Sequence, residues 1–281
     1  KERFGAAQLP AMHFIDTKYA NRMKQMKGGF SVDLIEVLAE NLKQGKQSLL
    51  FQNRRGYSPY LQCQDCDWIA TCHQCDVSLT YHAREQELRC HYCGHHESLI
   101  HRCGACGSAQ IKTMGYGTEK LEEELQLHLP DARVARMDLD TTRSKTAFTS
   151  LITEIQKGQV DILVGTQMLA KGLDFDNVSL VGIMNADTML YHPDFRAFER
   201  SFQMMTQVSG RSGRSQKQGK VIIQTYNPDH NTIQQVVRND YLGMYKEQIY
   251  DRQIYHYPPY FKLIKLTLKH RDFDKLKESL D

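Results

Sequence analysis

Short apolar runs alternate with amphipathic stretches along most of the chain. His13-Phe14-Ile15-Asp16 reads as a strand, and Ser31 caps a helix whose apolar positions Val32, Leu34, Ile35, Leu38 and Leu42 share a face before Gly45 ends it. Ser48-Leu49-Leu50-Phe51 is a buried strand by the same reading. Thr118 predicts the cap of a helix carrying Leu121, Leu125 and Leu129. Val134 to Asp138 is the next strand, followed by a helix from Lys145 to Lys157 that buries Phe148, Leu151, Ile152 and Ile155. Ile162-Leu163-Val164 and Val178 to Met184 are two more strands, then comes a helix with Phe198, Phe202, Met205 and Val208, and Lys220 to Thr225 closes the series. This strand–helix–strand rhythm predicts a parallel sheet with helices on its faces. The basic stretch Lys18, Arg22, Lys24 and Lys27 reads as a solvated loop able to meet a phosphate backbone, and Pro258-Pro259 marks a boundary before a strand from Lys262 to Leu268.

Between Tyr57 and Lys112 the rhythm stops, and all eight cysteines lie there in Cys-x-x-Cys knuckles. Clustered knuckles indicate metal in a reducing compartment rather than a disulfide framework. Five residues separate Cys66 from Cys72, which is tight for folding back onto one ion, whereas fourteen separate Cys75 from Cys90, close to the usual spacing of a zinc ribbon. A nested arrangement follows: Cys72, Cys75, Cys90 and Cys93 on an inner zinc, and Cys63, Cys66, Cys103 and Cys106 on an outer one. Four thiolates leave no position for water, so both ions are expected to be structural. An iron–sulfur cluster and a redox dithiol are the rival readings. The module holds six acidic residues against four basic ones, and two tetrathiolate sites deepen that imbalance. It is therefore read as a protein-recognition element, or one that stacks on bases through Trp68, Tyr81 or Tyr92, and not as a grip on phosphates.

Two further stretches carry chemistry. Asp161 to Phe175 (DILVGTQMLAKGLDF) delivers Thr166 to the carboxyl end of a strand, where open α/β sheets place ligands. Gln207 to Arg214 (QVSGRSGR) interleaves Arg211 and Arg214 with Gly210 and Gly213. Two guanidinium forks beside a close-approaching backbone suit phosphate oxygens. The helix opening at Thr118 offers free amides to a phosphate. Neither a Walker-type Gly-Lys loop nor a D-E-x-H stretch occurs in these 281 residues, so the chain alone is not expected to turn over ATP. Composition changes little: 41% hydrophobic and 25% charged residues describe an ordinary folded chain, and a net charge of +3 only permits a nucleic-acid partner. No run approaches membrane-spanning length, and the expected location is the bacterial cytoplasm.

The order strand, G-T-Q, K-G-x-D-F, helix, Q-x-x-G-R-x-G-R resembles motifs V and VI in the second motor lobe of superfamily two helicases. With NRRGY (Asn53 to Tyr57), CHYCG (Cys90 to Gly94), GYGTEKLEEEL (Gly115 to Leu125), D-x-D-T-T (Asp138 to Thr142) and PDFRAFER (Pro193 to Arg200), the chain resembles the bacterial primosomal replication-restart helicases, the PriA family. Departures are mild: Ser209 and Ser212 stand where alanine is usual, Leu173 where histidine is common, and Asp67 where glycine often follows the first knuckle. The resemblance implies a RecA-like second helicase lobe with an inserted double zinc-ribbon module and the start of a small α+β domain. Residues 1–56 and 113–238 would form the lobe, 57–112 the insertion, and 239–281 a linker and the start of that further domain. It implies an ATP- and Mg²⁺-dependent 3′→5′ DNA helicase acting at forks and D-loops, with single-stranded DNA, primosome proteins and single-stranded DNA-binding protein as partners. Arg211 and Arg214, with Gln207, would complete an ATP site shared with another lobe. Gly172 and Asp174 would sit at the nucleotide, and Thr166, Thr118, Arg54 and Arg55 at DNA. The chain, without an initiating methionine, reads as part of a longer protein. A zinc-ribbon adaptor on a RecA-like scaffold is the alternative, which the two arginines disfavour, and a zinc-ribbon transcription or RNA factor is a third.

Overall fold

A computed structural model describes residues 9–53, 60–75, 77–82, 86–90, 93–114, 118–138, 141–142, 144–170, 175, 177–213 and 218–264. In chain order the elements are β1 (Ala11–Asp16), α1 (Thr17–Arg22), β2 (Met26–Lys27), β3 (Phe30–Ser31), α2 (Val32–Lys43), β4 (Gln47–Phe51), β5 (Tyr60–Cys63), β6 (Thr80–His82), β7 (Glu87–Arg89) and β8 (His96–Ser98). They continue with β9 (Ile111–Met114), α3 (Thr118–His128), β10 (Val134–Met137), α4 (Lys145–Gln156), β11 (Ile162–Gly165), β12 (Val178–Ile183), α5 (Asp187–Leu190), α6 (Ala197–Ser209), β13 (Lys220–Thr225), α7 (Asn231–Arg238) and α8 (Tyr241–Ile254).

Six strands form one sheet in the order β1-β13-β12-β4-β11-β10, every pair parallel. The central strands read as unbroken apolar runs because both of their faces are covered. Leu49 and Phe51 enter one core with Phe202, Met205 and Val208 of α6 and Ile233 and Val236 of α7. Leu50 enters the other, with Leu34 and Leu38 of α2 and Leu121 and Leu125 of α3. Each fully buried leucine of this kind stabilises the fold by about 1.5–3 kcal/mol relative to exposure. The Ser31 cap is present, its hydroxyl accepting from the Leu34 N–H at 3.2 Å. Gly45 takes the left-handed φ of +65° that ends α2.

The structure corrects four expectations. Residues 18–27 are not a loop: Asp16 caps α1 by accepting from the Tyr19 N–H, and β2 and β3 form a hairpin after it. That helix is too short to show an apolar period, which is why the pattern missed it. Thr118 is the first helical residue of α3 rather than its cap. In α4 only Ile155 is fully buried, while Phe148, Leu151 and Ile152 are half-covered. Finally, the stretch from 239 onward, read as linker, holds α8, capped by Asp240 and packed on α6 and α7. Residues 262–264 are irregular, and the rest of the expected strand lies outside the described residues.

The insertion opens with β5 and returns through β9, its antiparallel partner, and a three-stranded meander β6-β7-β8 lies between. Its core is thin: Leu61, Ala70, Val77, Leu79 and Leu88 around half-buried Trp68. Trp68 therefore packs inside the module, against Gly104, where an added Cβ would lie 2.9 Å from the indole. Tyr92 lies outside the described residues. Among the described residues no helix is long and apolar enough to cross a membrane.

Candidate metal centres and motor-lobe cleft

The eight sulfurs form two groups, Cys63, Cys66, Cys103 and Cys106, and Cys72, Cys75, Cys90 and Cys93, each with all four atoms within 4.8 Å of one another. This is the nested pairing that the loop lengths imply. Three sulfur pairs measure 3.7 Å (Cys63–Cys106), 3.4 Å (Cys66–Cys103) and 3.6 Å (Cys72–Cys93). A tetrahedral ion with Zn–S bonds of ~2.3 Å requires sulfur separations of about 3.8 Å, so the donor set fits zinc in both number and spacing. Burial and the surrounding thiols push the Cys75 thiol well above its ordinary value, a conflict that a divalent cation resolves by taking thiolates.

Backbone geometry repeats from knuckle to knuckle. The N–H after the second cysteine bonds the carbonyl of the first: Asp67 to Cys63 at 3.0 Å, Gly94 to Cys90 at 3.1 Å, Gly107 to Cys103 at 3.0 Å. All three residues are left-handed, with φ of +60°, +76° and +73°. Asp67 thus does what glycine does in the other two, and its carboxylate meets the Lys18 ammonium of α1 at 2.5 Å. That ion pair also fastens the outer knuckles to the lobe. The inner knuckles are fastened by the Tyr257 hydroxyl, which donates to the Cys75 carbonyl at 2.7 Å, and by the Ser78 hydroxyl, which donates to the Tyr191 carbonyl. Tyr257 in turn stacks on Phe195 with ring centroids 4.5 Å apart.

In the lobe, three sequence motifs converge beyond the carboxyl ends of β4 and β11. Gln167, after Gly165-Thr166, donates from its amide to the Asn53 side-chain oxygen at 3.1 Å. Both line a cleft of about 440 Å³ with Gln207, Gln203 and Arg200 of α6 and His192. Thr166 is nearly buried, its N–H directed at the Met137 carbonyl at 3.3 Å. Arg211 follows the last turn of α6, with its N–H on the Val208 carbonyl at 2.9 Å, and is half-buried. Arg214, Gly172, Asp174, Arg54 and Arg55 lie outside the described residues.

Thr118 differs from expectation. Its side chain is fully buried and its hydroxyl donates to Asp138 at 2.8 Å, so only its backbone end of α3 remains to meet a phosphate. Asp138 is itself buried, accepts from the Thr141 N–H at 3.0 Å, and has the Arg136 guanidinium at 3.1 Å. Asp138 and Thr141 of the D-x-D-T-T stretch thus form a polar cluster behind the start of α3, Asp138 buried and Thr141 half-buried. The sequence reading also overlooked Asp187, whose carboxylate is fully buried and accepts from the Tyr226 N–H at 2.9 Å and the Thr225 hydroxyl at 3.0 Å. Burial lifts its pKa to about 6, against the pull of those donors. A lone Asp in an apolar stretch was the only signal for it.

Two family models match the chain: the PriA DNA helicase Cys-rich region (CRR) domain over residues 72–97, and the helicase conserved C-terminal domain over residues 108–216. The first spans the inner zinc knuckles, and the second runs from the end of the insertion past Arg214. Replication restart protein PriA of Bacillus subtilis (strain 168) is 46% identical over 279 residues, covering 98% of this chain and 34% of that protein. The chain belongs to the PriA family. The PriA protein of Haemophilus influenzae is 44% identical across 92% of this chain and 36% of its own length. That of Synechocystis is 43% identical across 94% and 32%. The chain spans about a third of the length of these PriA relatives. Among solved structures, RecG bound to a three-way DNA junction is similar at a TM-score of 0.45 and 11% identity, over 87% of this chain and 22% of that one, too loose a likeness to bear on function.

Proposed function

We propose that the chain supplies the second motor lobe and the zinc module of an ATP-driven 3′→5′ DNA helicase that works in replication restart in the bacterial cytoplasm. The observation that carries this reading is the meeting of Asn53, Gln167 and Gln207 in one cleft, since they come from three motifs far apart in sequence. Residues 1–56 and 113–238 form the lobe in this reading, 57–112 the module and 239–281 the approach to a further domain. Arg211 and Arg214, with Gln207, face the γ-phosphate of an ATP–Mg²⁺ held mainly by another lobe, and Gly172 and Asp174 lie beside it. Arginine forks there stabilise charge on the transferring phosphoryl group. Thr166, the α3 end at Thr118, Arg54 and Arg55 meet the phosphates of a single strand at a fork or D-loop. Both four-cysteine sites hold Zn²⁺. The acidic module meets primosome proteins or single-stranded DNA-binding protein instead of the DNA backbone.

The test uses the intact protein with Arg211→Ala and Arg214→Ala. Each is expected to lower DNA-stimulated ATPase by about 10³-fold or more, the usual worth of an arginine finger. Single-strand affinity without nucleotide should stay within twofold. Full ATPase in both variants would sink the reading and favour an adaptor without a motor. Unwinding of partial duplexes bearing either a 3′ or a 5′ tail reads the polarity directly.

A further inference from the structure

A second cavity, of about 280 Å³, lies beyond the carboxyl ends of β1, β13, β12 and β4, on the sheet face opposite α6. It is separate from the cleft at Asn53 and Gln207. The lobe and the zinc module build it together: Thr17, Asn21 and Asn185 come from the lobe, Gln64 directly follows the strand that opens the insertion, and Lys112 lies in the strand that closes it. At the small end of ligand clefts, it admits one planar ring and not a folded chain.

The lining chooses among ligands. Side-chain amides dominate its polar part (that of Gln224 is engaged with Ser31, Gly29 and Met184), and an amide offers a donor beside an acceptor, the pattern displayed by the edge of a nucleobase. Tyr226 supplies an aromatic ring, and Leu121 and Met184 supply apolar wall. The Thr17 hydroxyl oxygen is buried, in a residue 4% exposed, and has no hydrogen-bond partner among the described residues. A buried hydroxyl left so is costly unless something enters to bond it. Asp187, fully buried, also borders the cavity and disfavours an anion inside it. The rim is mainly of the opposite sign, the Glu124 carboxylate that accepts from the Gly29 N–H excepted. Arg22, Lys24 and Lys27 are exposed on the segment that supplies Asn21, Met26 and Gly28 to the wall, and Lys112 is exposed across from them. A basic rim around an amide-lined pocket that disfavours anions suits a base turned inward while its phosphates stay outside.

We infer that this cavity between the motor lobe and the zinc module takes one unpaired nucleobase of a bound DNA strand. The inference rests on the proposed DNA-binding function and adds a site to it. It also gives the basic segment of residues 18–27 a use, and makes the insertion part of a DNA contact without a phosphate grip by the module itself.

The test is an abasic scan with the intact protein and a single-stranded oligonucleotide carrying one abasic position, moved through the footprint. Each abasic strand keeps every phosphate, so only a base contact is lost. One register should weaken binding by about 10-fold, within the range measured for loss of a stacked base. Thr17→Val, close in shape to the native residue, and Asn21→Ala, at the cavity mouth, should each flatten that dependence while leaving the salt slope of binding unchanged. A flat scan in the wild-type protein that still binds the intact strand overturns the pocket and leaves the DNA reading standing. A scan unaltered in both variants likewise overturns it. Failure to bind the intact strand at all overturns both.

Discussion

Gly213 is the position at which a single methyl group should do most damage. Its φ is +70°, and a Cβ added there would lie 2.3 Å from the Gly219 nitrogen and 2.8 Å from the Gly219 Cα. The obstruction is backbone on backbone, so no side chain can swing aside. Moving the strand apart would break the bond from the Gly213 N–H to the Val178 carbonyl, 3.2 Å long, which ties the arginine loop to β12. Left-handed backbone costs an L-residue about 1–2 kcal/mol, and forcing atoms into a filled space about 1–3 kcal/mol more. Restricting the unfolded chain returns about 0.4–1 kcal/mol. The net expectation for Gly213→Ala is a loss of about 2–4 kcal/mol. At roughly 2–4 °C per kcal/mol for a chain of this size class, the thermal midpoint should fall by about 4–16 °C. Gly158 supplies the control, because its φ is +67° and nothing lies within 4 Å of a Cβ built on it. Gly158→Ala carries the conformational cost without the collision and should lose only about 1 kcal/mol. Thermal melts of both variants, followed by circular dichroism, read the difference. Equal shifts would refute the steric argument. If the loop yields in place of the fold, the melt is spared and the deficit appears as lost DNA-stimulated ATPase in the intact protein.

Other consequences are open to the same measurements. Ser209 is fully buried with a hydroxyl that has no partner among the described residues, so Ser209→Ala should raise stability by up to about 1–2 kcal/mol. Ser212 donates to the Ser209 carbonyl at 2.9 Å, so Ser212→Ala should lower it by about 1 kcal/mol, and equal effects of the two would refute the distinction. Asp187 has a folded pKa of about 6, above the ordinary value near 3.9, so the native state binds the extra proton between those values. Its contribution is therefore largest below about pH 4 and falls as pH rises to about 6. Relative to Asp187→Asn, the wild-type protein should lose on the order of 2–3 kcal/mol across that window, and parallel stability–pH profiles would contradict it. Metal analysis should find two zinc ions per chain and no reactive thiols, and Cys75→Ser should leave one. A single zinc in the unaltered chain would refute the paired centres.

Much of the lobe was legible because both faces of its sheet are covered. Continuous apolar runs such as Leu49-Leu50-Phe51 then mark strands unambiguously, and the Ser31 cap and Gly45 stop fix α2 from both ends. The zinc pairing was legible for a different reason, since loop length alone decides which knuckles can share an ion. What escaped the sequence depends on contacts made at a distance. The helix α1 shows no apolar period of its own and is held by the Asp16 cap and the Lys18–Asp67 pair across 49 positions. Trp68 reads as an exposed aromatic until Gly104 is seen against its ring. Thr118 reads as the cap of α3 until it is seen as the first helical residue, with its hydroxyl on the buried Asp138. Asp187 carries no motif, and the donors that meet its buried carboxylate, Thr225 and Tyr226, lie 38 and 39 positions further along the chain.

The way the zinc module is fastened bears on what its surface is free to do. Tyr257 bonds the carbonyl of Cys75, Ser78 bonds the carbonyl of Tyr191, and the Arg22 guanidinium approaches the carbonyl of Asp65 at 3.5 Å. In each case one partner is a main-chain oxygen, present whatever residue stands there. The knuckle turns are likewise main-chain bonds, with side-chain identity mattering only at the cysteines and the left-handed position. Docking and metal binding thus place few demands on the remaining side chains of the insertion. Apart from the Asp67 carboxylate, which pairs with Lys18 of α1, the acidic side chains of the insertion are called on neither by these contacts nor by the ions, and thiolate-bound zinc makes the module more negative. In the proposed reading, an excess of negative charge beside a lobe that meets DNA raises the energy of a duplex lying across it, confines strand contacts to the rim where Lys112 faces the basic segment of the lobe, and leaves the outer face to partners of positive or neutral chemistry.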